Sequence, residues 1–295
     1  MQTPRVGLEK HVRRLGALVV ALCCAGPVAA DTVSWIGTDL APMTMPQGEH
    51  AREGYIDQLY KYLVEAMPQH TLQEEIVPLT RVMFMAQRNG PICMSILFQT
   101  PEREAFLRFT APYGYLYPIG VVTRDSDQAR FAPYITKSGN FLLDKALQDA
   151  RLGLGVASDR SYGAKIDSLV KPLVGAAARN VQQVFQGEST KVLLAMLGRQ
   201  RFDYMFAFPS EVEFFAGPSS GLRFYPIEGN SDLLPGRFSC TKSPETDRVF
   251  ADVSRLVQTR KVQPTFMAAY ERWLPKYLIK PYRQRLQEMQ ATTGP

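Results

Sequence analysis

Ser95–Arg124, SILFQTPEREAFLRFTAPYGYLYPIGVVTR, holds a strand end, a helix start and a passage into a second α/β unit. Thr100 suits an N-cap, since its hydroxyl can accept from first-turn N–H groups. Pro101 suits the first helical position, and Glu102 favours the positive end of the helix dipole. Arg103 then falls in that first turn. The preceding Ile92–Leu97 (ICMSIL) reads as a buried strand, so Arg103 would project at its carboxyl end, where open α/β sheets bind ligands. A guanidinium there offers a fixed fork of donors to a carboxylate. The competing reading makes Arg103 the partner of a nearby acid of the chain.

Working outward, short apolar strands alternate with amphipathic helices, the pattern of an α/β protein. Val33–Gly37 reads as the first strand. Ile56, Leu59, Tyr60, Leu63, Val64 and Met67 form one helical stripe within Gly54–Met67. Ile76 and Val77 end a second strand, and Leu79–Asn89 is a helix stopped by Gly90. After Tyr117 the pattern restarts, with strands at Pro118–Thr123, Leu152–Ala157 and Tyr204–Phe208. Helices fall at Asn140–Ala150, Ser161–Val170 and Ser189–Gly198. Leu222–Gly236 has the Gly, Pro, Asn and Asp content of a linker. A strand near Phe238–Cys240 and helices Asp247–Arg260, Pro264–Trp273 and Tyr277–Met289 return to the first unit, with Ala291–Pro295 as a frayed end. The expected domains are a leader at 1–30, the first part of lobe 1 at 31–117, lobe 2 at 118–229, and the rest of lobe 1 at 230–295.

Residues 1–30 carry Arg5, Lys10, Arg13 and Arg14 against Glu9, then the apolar run Leu15–Cys24 and Val28-Ala29-Ala30. This reads as a secretory signal cleaved after Ala30, which implies a soluble periplasmic protein. Its removal leaves 30 basic and 27 acidic residues, a net charge of +3. No run of like charges suited to nucleic acid remains, and Lys276, Lys280, Arg283 and Arg285 read as one solvated helix face. The only histidines left are His50 and His70, far from any CxxC or HExxH arrangement, and no GxSxG or phosphate-cradling loop is present. The sequence therefore predicts no metal, no cofactor and no catalytic constellation.

Several segments carry a resemblance to a known family. They are Ile36-Gly37-Thr38-Asp39 with Pro42, Gly54-Tyr55-Ile56-Asp57, and TPER followed by Phe109-Thr110-Ala111-Pro112-Tyr113. Further along come Leu154-Gly155-Val156, Gly198-Arg199-Gln200-Arg201-Phe202-Asp203 and Tyr270-Glu271-Arg272-Trp273. In order and spacing the chain resembles the extracellular solute-binding proteins of family 3, the polar amino-acid binders of bacterial ABC importers. The resemblance implies a type II periplasmic-binding fold, α/β, with two lobes hinged around a central cleft. The hinge is expected near Tyr117-Pro118 and Glu228–Pro235. In that fold the strands carrying Cys93 and Cys240 would be neighbours, so a disulfide or two buried thiols are both open.

Carried over residue by residue, the resemblance makes Arg103 the carboxylate-binding arginine. It puts Ser161 at the start of the first helix of lobe 2, on the same carboxylate. Ile96 and Phe98 stand where the family has polar groups, Phe208 where it has the acid that meets an ammonium, and Leu40 near its usual aromatic. Glu211 is the candidate substitute acid, and Arg160 a candidate second cation or else an exposed arginine. Phe98, Phe208, Tyr113, Tyr115 and Tyr117 suit an apolar or aromatic ligand with one anionic end, or simply pack in the core. The expected partners are a small carboxylate-bearing ligand and an inner-membrane permease or periplasmic sensor, with the protein acting as a monomer. The alternatives are a dehydratase-like enzyme using Asp159, Glu188 or Glu211 as its acid, and a ligand-free signalling module.

Overall fold

The computed structural model describes residues 1–2, 31–88, 90–158, 160–185 and 189–293. The expected leader, Met1 and Gln2 aside, lies outside the described residues, as do Asp159 and Glu188. The chain divides into two units, Met1–Ala30 and Asp31–Pro295, and the architecture is that of the second.

In chain order it opens with β1 (Asp31–Gly37), α1 (Tyr55–Ala66), β2 (His70–Ile76), α2 (Leu79–Gln87), β3 (Ile92–Met94), α3 (Pro101–Glu104) and β4 (Leu107–Phe109). These are followed by β5 (Gly114–Leu116), β6 (Gly120–Arg124), α4 (Gln128–Phe131), α5 (Leu143–Leu147) and β7 (Leu154–Ala157). Next come α6 (Ala164–Gly175), β8 (Val181–Val184), α7 (Ser189–Gly198), β9 (Tyr204–Ala207), α8 (Pro209–Ala216) and β10 (Leu222–Tyr225). The chain finishes with β11 (Leu234–Gly236), β12 (Ser239–Thr241), α9 (Asp247–Gln258), α10 (Val262–Glu271) and α11 (Lys276–Thr293).

Two five-stranded sheets result, ordered β2-β1-β3-β12-β4 and β10-β6-β9-β7-β8, and each centres one lobe. In the first, β1 runs parallel to β2 and β3, while the returning β12 is antiparallel to β3 and β4. In the second, β7 is parallel to β8 and β9, while β6 is antiparallel to β9 and β10. Between them β5 and β11 pair as a two-stranded antiparallel ribbon, Leu116 opposite Leu234 and Gly114 opposite Gly236. The two crossings of the chain thus run side by side, the construction of a hinge. This is the two-lobe type II periplasmic-binding fold, α/β in class.

Local rules account for most of the elements. The apolar stripe of α1 buries Tyr55, Ile56, Leu59 and Leu63 against lobe 1. The three strands at the centre of lobe 2, β6, β9 and β7, bury every residue, as central strands covered on both faces require. Gly114 and Gly236 are demanded by packing: a Cβ at Gly114 would lie 2.1 Å from the Phe266 ring, and one at Gly236 2.6 Å from Tyr113. The ribbon is therefore pressed flat against aromatic rings of lobe 1.

The structure also corrects the sequence reading at several places. The strand expected over Ile92–Leu97 stops at Met94, where pairing with β12 ends, and Ser95–Leu97 instead wall a cavity. Leu222–Gly236 is not a plain linker: its ends form β10, which pairs with β6, and β11. The turn-forming residues between them hid two short strands. The helix expected from Ser161 begins at Ala164, after Gly163 at φ 95°, and Ala291 belongs to the last turns of α11. Cys93 and Cys240 are register partners in neighbouring strands and are joined as a disulfide across 147 residues of sequence.

Candidate ligand-binding cleft

Arg103 sits where β3 delivers it. The Thr100 hydroxyl accepts from the Arg103 N–H at 3.3 Å, and Pro101 takes the first helical position of α3. The Arg103 guanidinium is half-buried and donates from Nη1 to the Phe98 carbonyl at 2.6 Å. Burial lowers its pKa from the ordinary arginine value, with neighbouring Glu102 acting in the opposite sense. Among the described residues no acid forms an ion pair with it. The remaining N–H donors of this partly desolvated arginine therefore meet no carboxylate among the described residues.

Phe98, which accepts from Arg103, also lines a cavity of about 10 Å³ together with residues that include Tyr55, Ser95, Tyr113, Gly236 and Arg237. That is room for about one water molecule. The Tyr113 hydroxyl donates to the Ser95 carbonyl at 3.1 Å, and its ring packs 4.6 Å from that of Phe238 and 5.2 Å from Phe266. Burial raises the Tyr113 pKa, so its phenol stays protonated. The Ser95 hydroxyl is buried without a hydrogen-bond partner. Of the three alternating tyrosines, only Tyr113 lines this cavity. Tyr117 packs against Tyr282, its N–H donates to the Tyr270 hydroxyl, and Tyr115 offers its carbonyl to the Tyr282 hydroxyl.

Lobe 2 contributes a different arrangement. Arg160 makes a two-pronged ion pair with Glu211, Nη1 to Oε1 at 2.8 Å and Nη2 to Oε2 at 3.0 Å, and also donates to the Thr190 hydroxyl. Glu211 further accepts from the Thr190 hydroxyl at 3.3 Å and from the Phe208 N–H at 2.8 Å, capping α8. The Phe208 and Tyr162 rings each lie 5.7 Å from the Arg160 guanidinium. The two residues read from sequence as a second cation and a substitute acid are thus paired with each other. Neither is an exposed arginine nor an acid with an open oxygen. Phe98 and Phe208 are partly buried and packed against the core.

Ser161 lies in the loop before α6. Its hydroxyl donates to Asp167 at 2.6 Å, and the Tyr162 N–H donates to the other Asp167 oxygen at 2.8 Å. Burial works to raise the Asp167 pKa, yet those hydrogen bonds and nearby Lys171 outweigh it and lower the pKa. The Asp167 carboxylate holds this loop outside the helix, which is why α6 starts three residues later than Ser161.

The lobes touch across the cleft. Tyr55 of α1 is buried beside Ser210 and Glu211 of α8, and its pKa is raised, first by burial and then by the neighbouring Tyr270, Tyr113 and Glu211, with Ser210 opposing. At a second place the His50 ring stands 5.9 Å from Phe214 of lobe 2 and 5.4 Å from Trp273 of lobe 1, while Phe214 and Trp273 lie 5.2 Å apart. Tyr55, Ser95 and Arg237 were not singled out by the sequence as site residues. Tyr55 lies within the Gly-Tyr-Ile-Asp signature at the start of α1, and Arg237 follows directly on the second crossing, where a reading of the hinge could have found it.

Among the described residues no group of three or more His, Cys, Asp or Glu could hold a metal ion, and no helix is long and apolar enough to cross a membrane. No protein-family model matches the sequence, and no curated protein matches it. Solved structures do match. The probable amino-acid ABC transporter extracellular-binding protein of Bacillus subtilis is 16% identical, with a TM-score of 0.59 over 84% of this chain and 99% of that one. A histidine kinase sensor domain with similarity to periplasmic binding proteins is 13% identical, with a TM-score of 0.57 over 83% and 97%. The L-cystine solute receptor of Neisseria gonorrhoeae, in an unliganded open conformation, is 14% identical, with a TM-score of 0.54 over 84% and 95%. At these identities the likeness is one of fold, and it is the fold of periplasmic binding proteins that this chain shares.

Proposed function

We propose that the protein is an exported solute-binding protein of the family 3 type, which clamps a small carboxylate-bearing ligand between its lobes and presents the closed form to a membrane transporter or sensor. The observation that carries this reading is Arg103, a half-buried guanidinium in α3, the short helix that follows β3, whose hydrogen-bond partner is a backbone carbonyl and not an acid. The leader-like residues 1–30 support export to the periplasm. The side-by-side crossings β5 and β11 supply the hinge, and contacts such as Tyr55 with Ser210 supply lobe closure. Catalysis has less support: Glu211, the described member of the three candidate acids, has both oxygens bound by donors of the chain.

A second reading draws on the size of the cavity. The cavity beside Tyr113, about 10 Å³, has room for no solute larger than water, so a ligand bound there must enter through an opened cleft. A closed form held by the chain's own side chains also suits a module that signals through protein contacts. Thermal unfolding of the protein against a panel of amino acids, monocarboxylates, dicarboxylates and aromatic acids separates the two. Ligand at a hundred times its dissociation constant adds ~2.7 kcal/mol, a rise of several degrees. Arg103→Ala is expected to abolish that rise while keeping the melting temperature of the free protein. A rise that survives in Arg103→Ala refutes the arginine assignment, and no rise with any carboxylate favours the protein-contact module.

A further inference from the structure

We infer that Arg237 is a second anion-binding group of the cleft, so that the ligand class is a dicarboxylate and not a zwitterionic amino acid. The inference rests on the solute-binding reading and deepens it. Arg237 follows β11 at the point where the chain re-enters lobe 1, and it lines the same cavity as Ser95, Phe98 and Tyr113. Its Nη1 donates to the Thr110 carbonyl at 2.6 Å, which fixes the guanidinium by one corner. Its Nε is buried without a partner, and among the described residues no acid forms an ion pair with it.

Ser95, only 5% exposed, lines that cavity with an unpartnered hydroxyl of its own. Buried donors without partners are rare because each forfeits its hydration, and an arginine without a counter-ion forfeits more. One such cation, Arg237, lines the cavity, and a second, Arg103, donates to the carbonyl of the lining residue Phe98. The acid closest in sequence to the cavity residues, Asp57, does not line the cavity: its Oδ2 accepts from the Met45 and Gly54 N–H groups, its Oδ1 is buried without a partner, and burial raises its pKa, which disfavours the charged form.

On the lobe 2 side, Glu211 stands near the cavity residue Tyr55. Arg160 is paired with Glu211, so this pair adds neither a net cation nor an open carboxylate among the described residues of lobe 2. An ammonium entering here would meet the Arg237 guanidinium, with Arg103 behind Phe98, and no acid among the residues that line the cavity to offset its lost hydration. Two carboxylates would instead each find a charge-assisted donor fork, and Ser95 could supply a further neutral donor. The remaining lining, with Ile96, Leu97, Phe98 and Tyr113, suits a short apolar spacer between the two anionic ends.

Isothermal titration of the full protein with succinate and glutarate, against chain-matched butyrate and valerate, tests this directly. The expected result is a dicarboxylate bound at least tenfold more tightly than its monocarboxylate, about 1.4 kcal/mol. Arg237→Gln should bring that ratio close to one while monocarboxylate affinity is kept, and Arg103→Ala should remove binding of both classes. Equal affinities in the native protein, or an unchanged ratio in Arg237→Gln, overturn the second anion site and leave the Arg103 reading standing. Failure of the native protein to bind either class overturns both. If Arg237→Gln does not fold, Arg237→Lys, which keeps the charge and loses the fork, is expected to lower the ratio at least threefold; an unchanged ratio there also overturns the proposal.

Discussion

Arg103 and Arg160 were both candidate ligand arginines in the sequence, one from each lobe, and the structure treats them in opposite ways. On the lobe 1 side the guanidinium leans on a backbone carbonyl and has no acid ion-paired to it among the described residues. On the lobe 2 side it is clasped by Glu211, with Thr190 and the Phe208 N–H completing the carboxylate's bonds. The difference separates a residue arranged to bind something from one arranged to hold the fold. A cation offered to a ligand must be left short of partners, and a structural one must not be. Lobe 1 is also the covalently stapled lobe, since Cys93 and Cys240 lock the returning strand β12 to β3 beside the cleft wall.

The largest effect expected from breaking this asymmetry is loss of that staple. A bridge closing a loop of this length should stabilise the folded chain by about 4 kcal/mol, mainly by restricting the unfolded ensemble. Cys93→Ala with Cys240→Ala, or thiol reductant during denaturation, should therefore shift the unfolding midpoint well down. Because the bridge lies in lobe 1, hydrogen exchange should loosen first in β3, β4 and β12, with β7 and β9 little changed. Equal loosening of both lobes would mean that the two cores unfold as one unit.

Next in size is the lobe 2 ion pair. Glu211→Leu leaves Arg160 without its acid and Thr190 and the Phe208 N–H without their acceptor, a loss of ~3 kcal/mol in denaturant unfolding. Arg160→Ala should cost a similar amount, since it strands a carboxylate that is only 5% exposed. The double variant should cost clearly less than the two losses added together, because each single change already breaks the same pair. Simple additivity in that cycle would show that Arg160 and Glu211 act independently, and the contrast with Arg103 would fall.

How much of this was legible in the sequence follows from how local the governing physics is. Thr100, Pro101 and Arg103 were placed correctly because capping is decided within one turn, and the stripe of α1 is a property of twelve consecutive residues. The adjacency of Cys93 and Cys240 was available only through the fold that the resemblance implied. The Arg160–Glu211 pair spans 51 residues, and nothing in either segment announces the other. The start of α6 was misread for a related reason. Ser161 looks like the first residue of a helix until Asp167 is seen to take both its hydroxyl and the next N–H. Arg237 was passed over because it falls where the Leu222–Gly236 stretch of linker composition gives way to a short strand-like run, although its position between β11 and β12 puts it on the cavity wall.

The smallest expected effect concerns that Asp167 loop, which lies on the lobe 2 side and bears on whether Ser161 is open to a ligand. Hydrogen bonds to the ionised carboxylate outweigh its burial, so its pKa is lower in the folded chain than in the unfolded one. The stabilisation is therefore fully present above the unfolded carboxylate pKa of about 4 and is lost as pH falls through the lower folded value. Stability measured from pH 6 down to pH 2 should show a component that disappears in Asp167→Asn, together with faster amide exchange at Tyr162 at the acid end. Loss of exchange protection at Tyr162 above pH 5 would contradict the direction of the shift. If ligand binding proves insensitive to Ser161→Ala while Asp167→Asn still frees the loop, then Ser161 belongs with Arg160: a lobe 2 group already engaged by its own chain, with ligand recognition left to the unpaired donors of lobe 1.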